Sequence, residues 1–92
     1  MAGAGELIKS LKAAIEFCRE LESRRRPDVY LMSTSVYRVI RDEMQLSKYD
    51  GVPCDVSAMC GVQVEHYLTV RELHLRAIQL RLRGLSVALV TE

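Results

Sequence analysis

Cysteine and histidine side chains are the residues of this chain that could bind a metal ion. Cys54, Cys60, His66 and His74 form the set from which a site could be built. Structural zinc sites favour cysteine pairs two to four residues apart, whereas these cysteines are six positions apart. Cys54 and His66 also fall at strand positions expected to face inward, where cysteine packs as a small hydrophobe. We therefore expect no metal ion and no cofactor.

The same side chains could supply a cysteine nucleophile and its histidine base. No local feature of the sequence activates the thiol of Cys54 or Cys60. The glycines Gly3 and Gly5 stand near the first residue rather than in a phosphate-binding loop. The sequence therefore predicts no catalytic residues and a protein that is not an enzyme.

A cluster of basic residues could contact phosphate groups. It consists of Arg19, Arg24, Arg25 and Arg26. Three acidic residues nearby partly cancel its charge, and the whole chain carries a formal charge of only +1. Nucleic-acid-binding domains usually have a larger basic excess. An accessory protein that binds nucleic acid through this cluster is therefore the alternative hypothesis.

Composition favours one small domain that associates with other proteins. A chain of 92 residues forms a single domain, residues 1–92, and its hydrophobic fraction of 49% exceeds what so small a core can hide. Oligomerisation is the usual way to bury such a surplus. The start of the chain does not resemble a signal peptide, and no apolar run approaches the ~20 residues of a membrane span. We expect no membrane partner and a cytoplasmic location.

Hydrophobic periodicity predicts the secondary structure of the first half. An amphipathic helix with one apolar stripe spans about residues 5–24 and stops before Pro27. The apolar run 29–32 suits a buried strand, and residues 34–44 form a second amphipathic helix.

Alternation of apolar and polar residues then predicts a β-hairpin. Its strands cover residues 52–56 and 62–68, with Ala58–Gly61 as the turn. Thr69 and Glu72 fit a capping box that starts a third helix, which runs to Arg83 and ends at Gly84. Alternation across residues 78–83 also permits a strand, which we consider the less favoured reading. Residues 85–90 form the last strand.

These elements predict an α/β (α+β) fold in a single domain. The element order is α-β-α-β-β-α-β, with about four strands in one mixed sheet and three helices. A helical crossover after the first strand implies at least one parallel pair of strands.

The third helix carries two apolar stripes. At about 100° per residue, Val70, Leu73, Ala77 and Leu80 share one stripe. The second stripe contains Leu75, Ile78 and Leu82. A surface helix of a monomer needs one stripe, so the second indicates deeper burial or a subunit interface. We favour an interface that also includes Arg71 and Arg81, since arginine suits ion pairs between proteins.

Three motifs between residues 7 and 68 resemble the capsid proteins of tailed phages and related encapsulin-like shells. After the first helix comes Pro27-Asp28-Val29-Tyr30-Leu31-Met32-Ser33, then Val36-Tyr37-Arg38-Val39-Ile40, then Gly51-Val52-Pro53-Cys54-Asp55-Val56-Ser57. The long spine helix and extended loop of those proteins have no counterpart in this sequence. The resemblance implies a phage or prophage structural or accessory protein whose partners are copies of itself or other virion proteins.

Overall fold

The strand β1, Val29–Ser33, occupies the centre of the protein in the computed structural model. Strands β2, Gln63–Tyr67, and β3, Val87–Val90, pair with its two edges, and both pairs are parallel. The first four residues of β1 are at most 1% exposed. Consecutive apolar residues in a parallel strand require cover on both faces.

The structure describes residues 4–48 and 56–91.

Helices supply that cover from both sides of the sheet. On one side lie α1, Ala4–Glu22, α2, Thr34–Lys48, and the short α3, Val56–Cys60. On the other side lies α4, Val70–Leu82. The chain passes from β1 to β2 in one direction and from β2 across β1 to β3 in the other. Crossovers of one hand then place their helices on opposite faces.

Alternate residues of β1 divide the core into two clusters. Tyr30 and Met32 face α1 and α2, and the ring of Tyr30 meets that of Phe17 edge-on at a centroid distance of 4.6 Å. Val29 and Leu31 face α4. Each cluster therefore depends on the same four-residue apolar run.

A hydrogen-bonded clamp between Asp28 and Ser86 fixes the register of β1 against β3. The backbone N–H of Ser86 donates to Oδ2 of Asp28 at 2.8 Å, and the Asp28 N–H donates to Oγ of Ser86 at 2.9 Å. These bonds stand immediately before the paired residues Val29 and Val87. Both strands thus begin from a shared polar anchor.

The ends of α4 agree with the predicted signals, whereas α2 extends to Lys48, beyond the predicted residue 44, and α1 ends early. Thr69 caps α4 by accepting the N–H of Glu72 at 3.2 Å, and Gly84 has a φ of 82° just after the helix. The helical prediction for residues 70–83 is confirmed, and the strand reading is wrong. Helix α1 ends at Glu22 instead of Arg24, because Arg24 adopts a left-handed φ of 63° that terminates the helix. Pro27 stands several residues beyond this end.

The predicted hairpin and the mixed sheet are wrong. Strand β2 is parallel to β1, and Val56–Cys60, predicted as strand end and turn, is the helix α3. Residues 52–55 of the predicted hairpin lie outside the described residues. Within residues 4–48 and 56–91 the sheet has three strands, all parallel, and there are four helices instead of three. The predicted α/β class and the parallel pair are confirmed.

A single hydroxyl group joins α3 to the outer edge of β2. Oγ of Ser57 accepts the N–H of Val64 at 2.9 Å and donates to the Val64 carbonyl at 3.1 Å. The backbone groups of Val64 that point away from β1 are therefore paired by a helix side chain. The segment lies beside β2, as a hairpin strand would, but it makes these two bonds through its side chain.

Among the described residues, no helix has the length and apolar character that crossing a membrane requires.

Replacing Ser57 with Ala should destabilise the fold by about 1–3 kcal/mol, because it leaves two backbone groups of Val64 without partners. Chemical denaturation followed by circular dichroism measures this change. Ser23→Ala is the matched control, since the Ser23 hydroxyl donates to an exposed carbonyl, that of Glu20, at 2.9 Å. The control should change the stability by less than about 0.5 kcal/mol. Equal stability of the two variants would contradict the role assigned to Ser57.

Candidate functional site

Helix α4 presents one apolar face to the sheet and another to solvent. Leu73, Ala77 and Leu80 are at most 2% exposed and pack on β1. The outer stripe of α4, defined as Leu75, Ile78 and Leu82, is exposed by 53%, 54% and 83%. Deeper burial of this second stripe is therefore wrong.

Charged and apolar residues flank the outer stripe of α4. Arg71 and Arg81 are both exposed, so each lies where a partner could contact it. Leu68 and Val70, at the beginning of the helix, are 82% and 60% exposed. Val70 was predicted to share the buried stripe. It is exposed because it is the first residue of α4, and Leu73 is the first residue of the helix that packs in the core. The apolar surface of α4 is thus larger than its sequence periodicity predicted.

An ion pair ties α4 to the edge strand β2 next to this stripe. Arg76 donates from Nε to Oε1 of Glu65 at 2.9 Å and from Nη2 to Oε2 at 3.3 Å. The Arg76 guanidinium holds the pKa of the Glu65 carboxyl below its ordinary value of 4.5, more than burial raises it. Tyr67 also donates to Glu65, and burial followed by this bond raises the pKa of Tyr67. Arg76 is therefore engaged within the protein.

A second exposed apolar surface lies on α1 and escaped the sequence prediction. Helix α1 packs inward through Ser10, Ala13, Ala14 and Phe17. The predicted apolar stripe overlaps this buried face only in part, at Ala14 and at the partly buried Cys18 and Leu21. The sequence pattern that predicted it consists of Leu7, Ile8, Leu11, Ala14, Ile15, Cys18 and Leu21. The outer stripe of α1, defined as Ile8, Leu11 and Ile15, is exposed by 67%, 40% and 47%. The signal was present, because apolar residues of α1 cover a wider arc than one packing face needs.

A groove separates α1 from α2 along this stripe. Its volume is about 320 Å³, and its apolar lining consists of Leu11, Ala14, Ile15, Cys18 and Ile40. Its charged lining consists of Arg19, Glu22 and Glu43. This α1–α2 groove combines exposed hydrophobic side chains with carboxylates.

Three of the four clustered arginines line an open cleft at the C-terminal end of α1. Arg19, Arg25 and Arg26 share this cleft of about 920 Å³ with Glu20 and Ser86. Nη1 of Arg26 donates to the carbonyl of Cys60, the last residue of α3, at 3.3 Å. The carbonyl end of a helix and a carboxylate both oppose anion binding. The cleft is basic, but part of its charge is used within the fold.

The hydroxyl of Tyr30 is buried in the core between the sheet and α1, where the charges of Glu20 and Arg26 from the cleft affect it. It is the one buried side-chain polar atom without a hydrogen-bond partner in the described part of the chain. Burial, and then the negative charge of Glu20, raise the pKa of this phenol.

Polar side chains meet at the carboxyl end of the sheet, where α/β proteins usually bind ligands. Oγ1 of Thr34 lies 3.1 Å from Nδ1 of His66, and Tyr37 stacks on the His66 ring at a centroid distance of 4.1 Å. A hydroxyl beside an imidazole resembles a nucleophile and its base. In catalytic units a third group orients the base through a ring nitrogen, whereas Tyr37 contacts the ring face. The arrangement holds α2 against β2.

The residues considered as a possible metal-binding set differ in exposure where the structure describes them. Cys60 is buried in the core, whereas His66 and His74 are exposed. His66 was predicted to face inward, but it stands near the end of β2, where α2 covers it only by stacking. Cys54 lies outside the described residues. Within residues 4–48 and 56–91, no group of three or more histidine, cysteine or acidic residues could hold a metal ion.

Comparison of the chain with protein-family models, with curated proteins and with solved structures finds no match.

Replacing Glu65 with Gln should lower the free energy of unfolding at pH 7 by about 1 kcal/mol, because the bond to Arg76 loses its charge. A carboxyl whose pKa is depressed by folding stabilises the protein above its unfolded pKa. This contribution disappears as the pH falls through the folded value. The difference between the variant and wild type should therefore be constant well above pH 4.5, the ordinary pKa of the carboxyl, and disappear as the pH falls through its lower folded pKa.

Denaturant titrations between pH 3 and pH 7 measure this difference. Asp42→Asn is the control, because the Arg41–Asp42 pair is exposed by 40% and 61% and should contribute almost nothing. A Glu65→Gln effect that does not change with pH would contradict the proposed linkage.

Proposed function

We propose that this chain is a non-enzymatic structural or accessory protein of a phage or prophage. It acts by self-assembly or by binding other structural proteins of the virion. The observation that carries this proposal is the outer stripe of α4, whose three large apolar side chains are each more than half exposed. Contiguous exposed hydrophobic residues on a small domain are typical of interaction surfaces.

Burial of this stripe supplies part of the free energy that association requires. Full burial of a leucine or isoleucine side chain contributes roughly 1.5–3 kcal/mol. Since Leu75, Ile78 and Leu82 retain half or more of their exposure, covering them contributes roughly 3–6 kcal/mol in total. The entropic cost of association is about 4–15 kcal/mol. A stable assembly therefore needs a further apolar surface opposite the stripe and charged contacts around it.

The resemblance to tailed-phage capsid proteins supports the proposed setting. Its first two motifs, from Pro27 to Ile40, supply all of β1 and the first half of α2. The resemblance thus falls on the centre of the fold, where several packing constraints act together. It supports a relation to shell proteins, and the exposed stripe supports assembly as the activity.

The second candidate is binding of nucleic acid through Arg19, Arg24, Arg25 and Arg26. The open cleft lined by three of these arginines favours it. We rank it second because Glu20 lines the same cleft and Arg26 donates to the Cys60 carbonyl. Arg19 and Arg25 are then the residues best placed to contact a phosphate.

Replacing Leu75 and Ile78 with Glu should convert the assembled protein into a folded monomer. The charges cannot enter an apolar contact without losing hydration. We expect the dissociation constant to rise by about 100-fold or more, which corresponds to the lost burial. Sedimentation velocity measures the species, and circular dichroism verifies the fold. Arg38→Glu, an exposed change on α2 with the same effect on net charge, is the control and should still assemble.

A wild-type protein that remains monomeric at high concentration contradicts the assembly proposal. A Leu75→Glu and Ile78→Glu variant that assembles as wild type does contradicts the role of the outer stripe of α4 in assembly.

Salt distinguishes the two candidates. We expect the assembly to persist when NaCl is raised from 50 to 200 mM, because apolar contacts are not screened. Binding of a duplex DNA through two or three arginines should weaken roughly tenfold to fortyfold over the same range. Fluorescence anisotropy with wild type and with Arg19→Ala and Arg25→Ala measures the second effect. Tight DNA binding that these substitutions abolish, together with assembly that dissolves in salt, would favour the second candidate.

A further inference from the structure

The two exposed apolar stripes lie on opposite sides of the sheet. The outer stripe of α4 lies on the side of the sheet that α4 covers. The outer stripe of α1 lies on the other side, in the layer formed by α1 and α2. One molecule cannot bring its own two stripes together, because the sheet and both cores lie between them. A contact between the two stripes therefore has to join two copies of the chain.

The two surfaces are complementary in shape. The outer stripe of α4 is a ridge, since its residues project from a single helix. The α1–α2 groove is concave, with a volume of about 320 Å³ and an apolar lining. Side chains on the ridge of one helix pack into grooves on neighbouring helices throughout protein interiors.

The charged lining of the α1–α2 groove is net negative, whereas the exposed charges of α4 are net positive. Around its outer stripe, α4 presents the exposed residues Arg71, Glu72, Arg81 and Arg83. The neighbouring Arg76 is already paired with Glu65. The α1–α2 groove contains Glu22 and Glu43 beside one arginine, Arg19.

Pairing α4 with α4 of another copy would bring two basic surfaces together, which disfavours that arrangement. Pairing α4 with the groove brings arginines to carboxylates.

We propose that the outer stripe of α4 in one copy packs into the α1–α2 groove of the next copy, with Arg71 and Arg81 beside Glu22 and Glu43. This proposal rests on the proposed function, because it names the surface that receives the α4 stripe. Such a head-to-tail contact leaves one free stripe and one free groove at the ends of every complex. The assembly therefore grows beyond a dimer and either closes into a ring or extends as a filament.

Two complementary variants test this arrangement. The α4 variant carries Leu75→Glu and Ile78→Glu, and the α1 variant carries Leu11→Glu and Ile15→Glu. All four positions are at least 40% exposed, so each variant should remain folded by circular dichroism. Alone, each variant should sediment as a monomer, because it lacks one half of the contact. An equimolar mixture should form a heterodimer that grows no further, because the intact α4 stripe of one variant enters the intact groove of the other.

Each outcome decides between distinct conclusions. If the α1 variant assembles as wild type does while the α4 variant is monomeric, this inference is wrong and the proposed function stands. If the α4 variant assembles as wild type does, the outer stripe of α4 is not the interface, and both this inference and the observation that carries the proposed function fail. A mixture that stays monomeric overturns the head-to-tail contact.

A charge exchange provides a second test that does not alter the apolar residues. Glu22→Arg with Glu43→Arg should weaken assembly by about tenfold or more, since like charges then face each other. Combining this change with Arg71→Glu and Arg81→Glu in the same chain should restore assembly. Glu16→Arg with Asp42→Arg, two exposed positions outside the groove lining, makes the same change in net charge and is the control. Failure of the combined variant to recover would overturn the proposed pairing of these charges.

Discussion

Burial of β1 on both faces is the constraint on which the rest of the structure depends. Its residues Val29 to Met32 are all apolar, and each lies at 1% exposure or less. A strand of this kind is stable when strands pair with both of its edges and helices cover both of its faces. The parallel neighbours β2 and β3 meet the first requirement, and the helical layers meet the second. The Asp28–Ser86 clamp then sets where this arrangement begins.

A three-layer arrangement built from so few residues leaves its helices covered on one side. Ala13 and Phe17 of α1 and Leu73 and Ala77 of α4 are used against the sheet. The opposite faces of both helices have no further layer above them in the described part of the chain, yet they carry leucine and isoleucine. The apolar surplus visible in the composition is therefore located on two defined outer surfaces. This location supports the proposed role in assembly.

Several charged and polar side chains that could suggest a binding site are used to hold elements together. Arg76 fastens α4 to β2 through Glu65, Arg26 binds the carbonyl end of α3, and Ser57 completes the edge of β2. His66 similarly joins β2 to α2 through Thr34 and Tyr37. The arginines that remain exposed on α4 are the ones available to a partner. They are the charges that the proposed contact pairs with the carboxylates of the α1–α2 groove.

The sequence by itself determined the elements whose signals are local. An apolar run specified β1, the Thr69 cap and Gly84 specified the two ends of α4, and helical periodicity separated its buried stripe from its outer stripe. The direction of β2 could not be predicted in this way, because alternation is the same in parallel and antiparallel strands. The tertiary structure decided it: α2 and α3 connect β1 to β2 so that the two strands are parallel, and Ser57 pairs the outer backbone groups of Val64. It also decided which part of the wide apolar arc of α1 is buried, because that choice depends on where Tyr30 and Val36 lie across the core.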